Sequence, residues 1–508
     1  MPEMPAARLD GLIGKLGKLS PGWAAFFGSL LLSLIDSLQG TINRDGMWYV
    51  ETARAVMEGG YGAAYSVYEL MLFPVLMAVV SQLTGLGLEG SGQLLNGLFM
   101  AGACGLLVTC AARMFPEAAW HICLVILALP GFNGYRDELL REYGCWFFVM
   151  LSFWLALRWS DAPRWPLALA LQLSLVVAAL FRPEALVFFP ALILWQIFEA
   201  PAGSRWRRLV MISGLPLLGL ATLLALYASG NLGHGRLAHD FGRFSPERFD
   251  AKALAMAPAF LEYARDQART ILFFGSLAII PVKFITKMGI FIVPLLYSFP
   301  GRSLRTLLGR NRFFAWAFLA HLSVLSVVVL DLQFLSGRYV GLLLAFAAPL
   351  TGYGLWLMMK RFPAWKVPMV VVAVLLMATN VVSPRPAKQH FVEAGAWLAK
   401  NASDTPRVYV ESSHAAYYAG WHLRLPLSVA NRAELASGLA QGKYDIVVFE
   451  VSHKKPDTQP RLEELKLSRI AGFTHPNGDA VIIARPAGGG QDKPANTATM
   501  REKTGSIE

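Results

Sequence analysis

The chain has 508 residues, 55% hydrophobic and 16% charged, with mean hydropathy +0.45, a composition that fits a polytopic membrane protein. The net charge of +12 calls for no nucleic-acid partner, because the basic residues collect in the loops between apolar runs. Cys104, Cys110, Cys123 and Cys145 lie in or beside those runs, which argues against a disulfide framework or a zinc site.

Eleven runs are predicted to cross a hydrocarbon core about 30 Å thick: residues 22–42, 92–113, 117–134, 143–160, 165–181, 184–199, 207–229, 269–298, 312–331, 336–359 and 366–383. The first is longer than a signal-peptide core and lacks a small-residue cleavage site, so it reads as a retained helix. Asn43-Arg44-Asp45-Gly46-Met47-Trp48-Tyr49 follows directly. Asp45 suits the N-cap of a helix over 46–58 ended by Gly59-Gly60. It equally suits a general base at the membrane surface, since an alcohol is a poor nucleophile until a base takes its proton. Residues 68–88 are apolar enough to span, but a crossing there inverts every later loop; they are read as a helix lying in or dipping into the outer interface.

Tyr135-Arg136-Asp137-Glu138-Leu139-Leu140-Arg141-Glu142-Tyr143 stands between the third and fourth runs. A solvated helix start, with acids near the N-terminal dipole, accounts for such a sequence. Its expected position on the same face as Asp45 gives it functional weight. Phe181-Arg182-Pro183-Glu184 reads first as an Arg182–Glu184 pair at a helix break, and second as a wall of a polar cavity. The loop 230–268 is long, mixed in charge and amphipathic near 251–268, as expected of a cover over a site. Lys283 and Lys287 lie one helical turn apart after Pro281. They are either snorkelling lysines or two ammonium groups on one face that hold a phosphate. Arg338-Tyr339 opens a late run, where Arg338 is an interface anchor or a planar fork for phosphate.

Counted loop by loop, Lys and Arg fall on every second connection, which places the N-terminus in the cytoplasm and everything after 384 outside. Residues 1–384 are thus a transmembrane domain, 385–486 a small extracytoplasmic α/β domain and 487–508 a disordered tail. In the α/β domain, helices are expected at 389–400, 413–420, 431–441 and 458–467, and strands at 407–411, 444–451 and 480–484. A turn at Asn477-Gly478 precedes the last strand.

Taken together, these residues resemble the GT-C superfamily of polyprenyl-phosphate-sugar-dependent glycosyltransferases, nearest the bacterial branch of aminoarabinose transferases and protein O-mannosyltransferase relatives. The likeness rests on Asp45 to Ala53 after the first run, Glu142 sixteen residues before Arg158, Arg182-Pro183-Glu184, Arg338-Tyr339 and the C-terminal α/β domain. The interfacial helix departs from the family, since Tyr68 to Pro74 offers only Pro74 where a Pro-rich or His-Pro-Pro-like start is common. The resemblance implies a polytopic fold of about 11 spans with interfacial helices, in the bacterial inner membrane. It implies inverting transfer of a sugar from a polyprenyl-phosphate donor to an envelope lipid, polysaccharide or protein. Asp45 is then the base and Glu142 the second acid, with Asp137 and Glu138 as alternatives. Substrate binding falls to Arg44, Tyr49, Arg136, Asp137, Glu138, Arg182, Lys283, Lys287, Arg338 and Tyr339. No metal ligand set is assigned, and a divalent ion held by Glu142 stays open. Two other classes fit less well: an O-antigen polymerase or ligase, disfavoured by the early Asp45 loop and the terminal domain, and a transporter, favoured only by the two lysines.

Overall fold

A computed structural model of the chain describes residues 19–37, 41–229, 245–299, 312–382, 388–402, 407–421, 432–455 and 462–487, with residues 309 and 459. The expected tail beyond residue 487, most of the basic loop at 300–311 and the N-terminal basic residues Arg8, Lys15 and Lys18 lie outside them. The chain divides into two compact units, Met1–Pro384 and Arg385–Glu508.

The first unit is helical. In chain order its helices are α1 Pro21–Ser37, α2 Arg44–Val67, α3 Leu72–Thr84, α4 Leu88–Met114, α5 Ala119–Ala128, α6 Pro130–Asn133, α7 Glu142–Asp161 and α8 Trp165–Phe181. They continue with α9 Phe188–Glu199, α10 Ala202–Ala228, α11 Pro246–Met256, α12 Ala268–Met288, α13 Ile292–Tyr297, α14 Arg312–Leu332, α15 Gly341–Arg361 and α16 Lys366–Val381. A helix lies in each of the eleven apolar runs. Among the described residues, six helical segments are long and apolar enough to cross a membrane: Leu88–Met114, Ala202–Leu226, Glu262–Tyr297, Arg312–Leu332, Gly337–Arg361 and Pro363–Val381. Leu217, Leu218, Leu220 and Leu224 on α10 and Val367, Val374 and Leu375 on α16 are more than half exposed. Water does not tolerate such faces, so the unit is membrane-embedded, with lipid as their solvent. α15, by contrast, is buried over most of its length and forms the centre of the bundle.

Residues 68–88 contain a helix of only 13 residues, α3, ended by Gly85 at φ +74°. At 1.5 Å per residue it reaches about 20 Å, short of the hydrocarbon thickness. α1 and α4 approach closely because both are small where they meet: a Cβ on Gly22 would lie 2.3 Å from Thr109 Oγ1. Rings fill the middle of the bundle. Phe132 stacks on Trp146 at 4.7 Å, and Phe153 touches Phe313 at 4.3 Å and Phe346 at 5.5 Å.

The second unit carries a four-stranded sheet in the order β1-β2-β4-β3, from β1 Val408–Val410, β2 Ile446–Val451, β3 Leu467–Thr474 and β4 Ala480–Pro486. β1 runs parallel to β2, while β4 is antiparallel to both β2 and β3. Phe391, Ala394 and Leu398 of α17 (Gln389–Asn401) cover one face over Ile446, Val448, Val481 and Ile483. Leu435 of α19 (Arg432–Ala440) covers the other, over Val447 and Phe449, and α18 (Ser413–Tyr418) completes the unit. The helix expected at 458–467 is a correction: residues 462–466 are turns, and β3 begins at Leu467. β3 shows no clean alternation of buried and exposed residues, because it is an edge strand whose register shifts between Arg469 and Ala471.

Candidate active site

At one end of the bundle, the start of α2, the loop 134–141, the first turn of α7, the break between α8 and α9 and the residues before α15 meet. Asn43, not Asp45, stands at the N-cap of α2. Its side chain makes no cap bond. Instead its Oδ1 accepts from the Leu139 N–H at 3.0 Å, and its Nδ2 lies 3.4 Å from the Leu139 carbonyl. Asn43 thereby ties the Asp45 segment to the loop that leads into Glu142, 96 residues later.

The two segments present carboxylates to the same guanidinium. Arg338 NH1 lies 2.6 Å from Asp45 Oδ2 and 3.9 Å from Glu138 Oε2, and its Nε is 3.3 Å from Glu142 Oε1. The last contact lacks hydrogen-bond alignment, since Arg338 Nε has no hydrogen-bond partner. Arg182 continues the network: NH1 donates to Glu142 Oε1 at 2.6 Å, and its fork grips Glu184 at 2.8 and 3.4 Å. The ring of Tyr339 lies beneath both cations, 4.6 Å from Arg182 and 5.6 Å from Arg338. Glu142 is nearly fully buried and faces both guanidinium groups.

Two cavities open on the cluster. The outer one, about 130 Å³, is lined by Asp45, Trp48, Tyr49 and Tyr68, together with Arg141, Glu142, Arg182, Arg338 and Tyr339. The inner one, about 120 Å³, shares those last five residues and continues between Glu184, Phe188, His321 and an aliphatic wall of Val324, Leu325 and Val328. Tyr49 is buried against Tyr68 and Phe73, which pushes its phenol well above its ordinary pKa and keeps it a neutral hydrogen-bond donor. Burial, then the neighbouring Asp137 carboxylate, hold the Glu138 carboxyl up to about 7, against the opposing pull of Arg338.

Asp45, Tyr49, Glu142, Arg182, Arg338 and Tyr339 therefore come together, while Glu138, 3.9 Å from Arg338, lines a separate rear pocket. Of the two lysines, only Lys287 comes near. It lies 4.8 Å from the Tyr135 ring centroid and packs so tightly on Gly337 that a Cβ there would meet its Cε at 2.4 Å. Neither cavity is lined by Lys287, by Lys283, half-exposed on α12, or by Arg44, exposed at the start of α2. Arg136 does not reach the cleft, because its donors are taken by Asn133, Ser29 and Ser33 in a buried pocket behind the loop. Asp137 lines that rear pocket beside Asp36 and Asn96.

Sequence reasoning passed over Asn43, Trp48, Tyr68, Arg141 and His321 as site residues. The signal for His321 was a lone histidine in an apolar span; it is buried in α14, with Nε2 3.1 Å from the Tyr339 carbonyl. Among the described residues, no group of three or more His, Cys, Asp or Glu side chains is placed to hold a metal ion. Glu142 Oε1 accepts from Arg182 NH1 at 2.6 Å.

Fold and cleft together define a polytopic helical membrane protein with an acid–arginine site at one end of its bundle. No family model and no curated protein matches the sequence. Among solved structures, the chain is similar to ArnT from Cupriavidus metallidurans in the apo state, at 12% identity and a TM-score of 0.41 over 89% of this chain and 96% of that one. It is similar also to the same protein bound to undecaprenyl phosphate, at 14% identity and a TM-score of 0.41 over 90% and 96%. A likeness of that degree decides neither fold nor function for this chain.

Proposed function

We propose that this chain is a membrane glycosyltransferase of the GT-C type that moves a sugar from a polyprenyl-phosphate donor to an envelope acceptor (lipid, polysaccharide or protein), with inversion. The reaction takes place on the extracytoplasmic face of a bacterial inner membrane, with the N-terminus inside and the α/β unit outside. The observation that carries this reading is the 2.6 Å pair of Asp45 and Arg338 at the cavity mouth. A carboxylate able to take a proton stands beside a guanidinium able to hold a phosphate.

In this mechanism the donor phosphate takes over the fork of Arg338, releasing Asp45 from its ion pair as substrate binds. Asp45 then accepts the proton of the acceptor hydroxyl or amine as its oxygen or nitrogen bonds to the anomeric carbon. The bond from that carbon to the phosphate oxygen breaks, and the electron pair leaves with the polyprenyl phosphate. That leaving group is already stable as an anion, so it needs fixed positive charge more than a proton, and Arg338 and Lys287 supply it. Glu142 and Arg182 hold Arg338 and Tyr339 in place, while Tyr49 offers a neutral donor to the sugar or the acceptor. Mass spectrometry of envelope lipids, polysaccharides and proteins tests the proposal. Cells with the wild-type chain should carry a sugar that is missing from cells with Asp45→Asn at equal protein level. An unchanged envelope in that variant removes Asp45 from the mechanism.

A further inference from the structure

A cavity of about 550 Å³ is separate from the acid–arginine cleft. It lies on another flank of α14: Leu332 lines the inner chamber of the cleft, whereas Val327, Leu330 and Asp331 line this cavity. The first turns of α12 and the last turns of α14 form its walls, and α11 covers it. Both α12 and α14 lie in segments long and apolar enough to span, and the cavity occupies one end of each. It therefore sits where a bilayer changes from headgroups to hydrocarbon.

Three cations face it. Lys252 Nζ lies 3.0 Å from Asp331 Oδ1, and Arg248 Nε is 3.4 Å from the same oxygen, so one buried carboxylate is shared by two cations. Arg269 Nε lies 2.7 Å from Asp250 Oδ1 on the exposed side. Among the described residues that line the cavity, Arg248, Lys252 and Arg269 stand against one carboxylate, Asp331. Both arginines face their carboxylates through Nε, the guanidinium nitrogen nearest the chain. Beside them the lining is aromatic and aliphatic. Phe249 and Phe273 stand edge to face at 6.2 Å, and Phe273 and Phe274 are 38% and 64% exposed.

We infer that this cavity binds the phosphate headgroup of a lipid, with Arg248 and Arg269 gripping the phosphate, Lys252 completing the positive field and the acyl chains lying along Phe273 and Phe274. Arginine forks match phosphate oxygens pairwise, and an apolar wall continuous with a spanning helix favours a ligand that carries hydrocarbon. The site is distinct from the donor site of the proposed reaction and does not depend on that reading.

Native mass spectrometry of the detergent-purified full chain tests it, with dioleoyl phosphatidic acid as probe. Dioleoylglycerol carries the same chains without the phosphate, and inorganic phosphate is the headgroup without the chains. Phosphatidic acid should be retained, and Arg248→Gln with Arg269→Gln should weaken it about tenfold or more, the scale expected for charged hydrogen bonds. If that double variant does not fold, Arg269→Gln alone, at an exposed position, should weaken binding in the same direction. Arg338→Ala, which alters the cleft only, should retain the lipid. Unchanged affinity in the folded arginine variants overturns the inference, as does equal retention of dioleoylglycerol. Loss of the lipid in Arg338→Ala overturns it too, by moving binding to the cleft. Displacement by inorganic phosphate at equal concentration overturns the lipid assignment in favour of a free-anion site.

Discussion

Replacing Arg182 with alanine removes the cation shared by two carboxylates in the cleft. Glu142, 2.6 Å away, has a side chain only 4% exposed, and Glu184, 2.8 Å away, is 29% exposed. Removing one partner of a buried ion pair costs about 3–5 kcal/mol, because the remaining charge stays out of water. Arg338 still faces Glu142 at 3.3 Å, and Glu184 retains some water, so the expected loss is at the lower end, about 3 kcal/mol. The matched control is Arg113→Ala, which breaks a pair with Asp161 whose side chains are 45% and 56% exposed. Such a surface pair is worth about 0–1 kcal/mol. Thermal unfolding of the two purified variants in one detergent should show a fall of about 3–4 °C for Arg182→Ala and about 1 °C or less for Arg113→Ala. Equal shifts would refute the reasoning, since Arg182 would then behave as a surface residue rather than the neutraliser of buried acids.

Other consequences follow from single contacts. Because the Glu138 carboxyl is held up to about 7 by burial and Asp137, the folded chain holds that proton more tightly than the unfolded chain does. The penalty for ionising it is absent below the ordinary carboxylate range, grows as pH rises and is complete above about 7. Glu138→Gln should thus gain stability over the wild type at pH 8 and show no gain at pH 4; a gain of the same size at both pH values contradicts this. Asn43→Ala strips the Leu139 N–H of its acceptor and should cost about 1–2 kcal/mol by unfolding, with a fall in sugar transfer as the Asp45 and Glu142 segments separate. Normal transfer by the variant would show that the tie does not position the acids. Gly337→Ala places a methyl 2.2 Å from Tyr135 Oη and 2.4 Å from Lys287 Cε, so the residues around Arg338 must shift. Titration with a polyprenyl phosphate should show weaker binding, and unchanged affinity would separate Lys287 from the phosphate.

The helical unit was legible because hydrocarbon thickness forces long apolar runs, and each expected run contains a helix. The acids and arginines of the cleft stood out for a related reason. In a chain this poor in charge, Asp45, Glu142, Arg182 and Arg338 each mark the end of a helix or the break between two, where a charge needs a partner or water. Pairing was not legible. Arg136 and Arg338 each stand beside a tyrosine at the end of an apolar run, yet Arg136 is satisfied by Ser29 and Ser33, more than a hundred residues earlier, whereas Arg338 faces three acids. Only long-range packing separates the two. Of the two roles the sequence allows Asp45, helix cap or general base, the cap does not hold: α2 starts one residue before it, at Arg44, and Asn43 takes the boundary while its side chain serves the loop at Leu139. β3 was missed because Arg469 and Gly472 interrupt its alternation at a register shift, which removes the period that marks a strand.

The most direct measurement uses purified chain in proteoliposomes with a labelled polyprenyl-phosphate sugar and an envelope acceptor. The label should move to the acceptor with inverted anomeric configuration and free polyprenyl phosphate released, and Asp45→Asn should abolish this in protein that unfolds at the wild-type temperature. Transfer at the wild-type rate by that variant, or label that crosses the membrane chemically unchanged, would contradict the account.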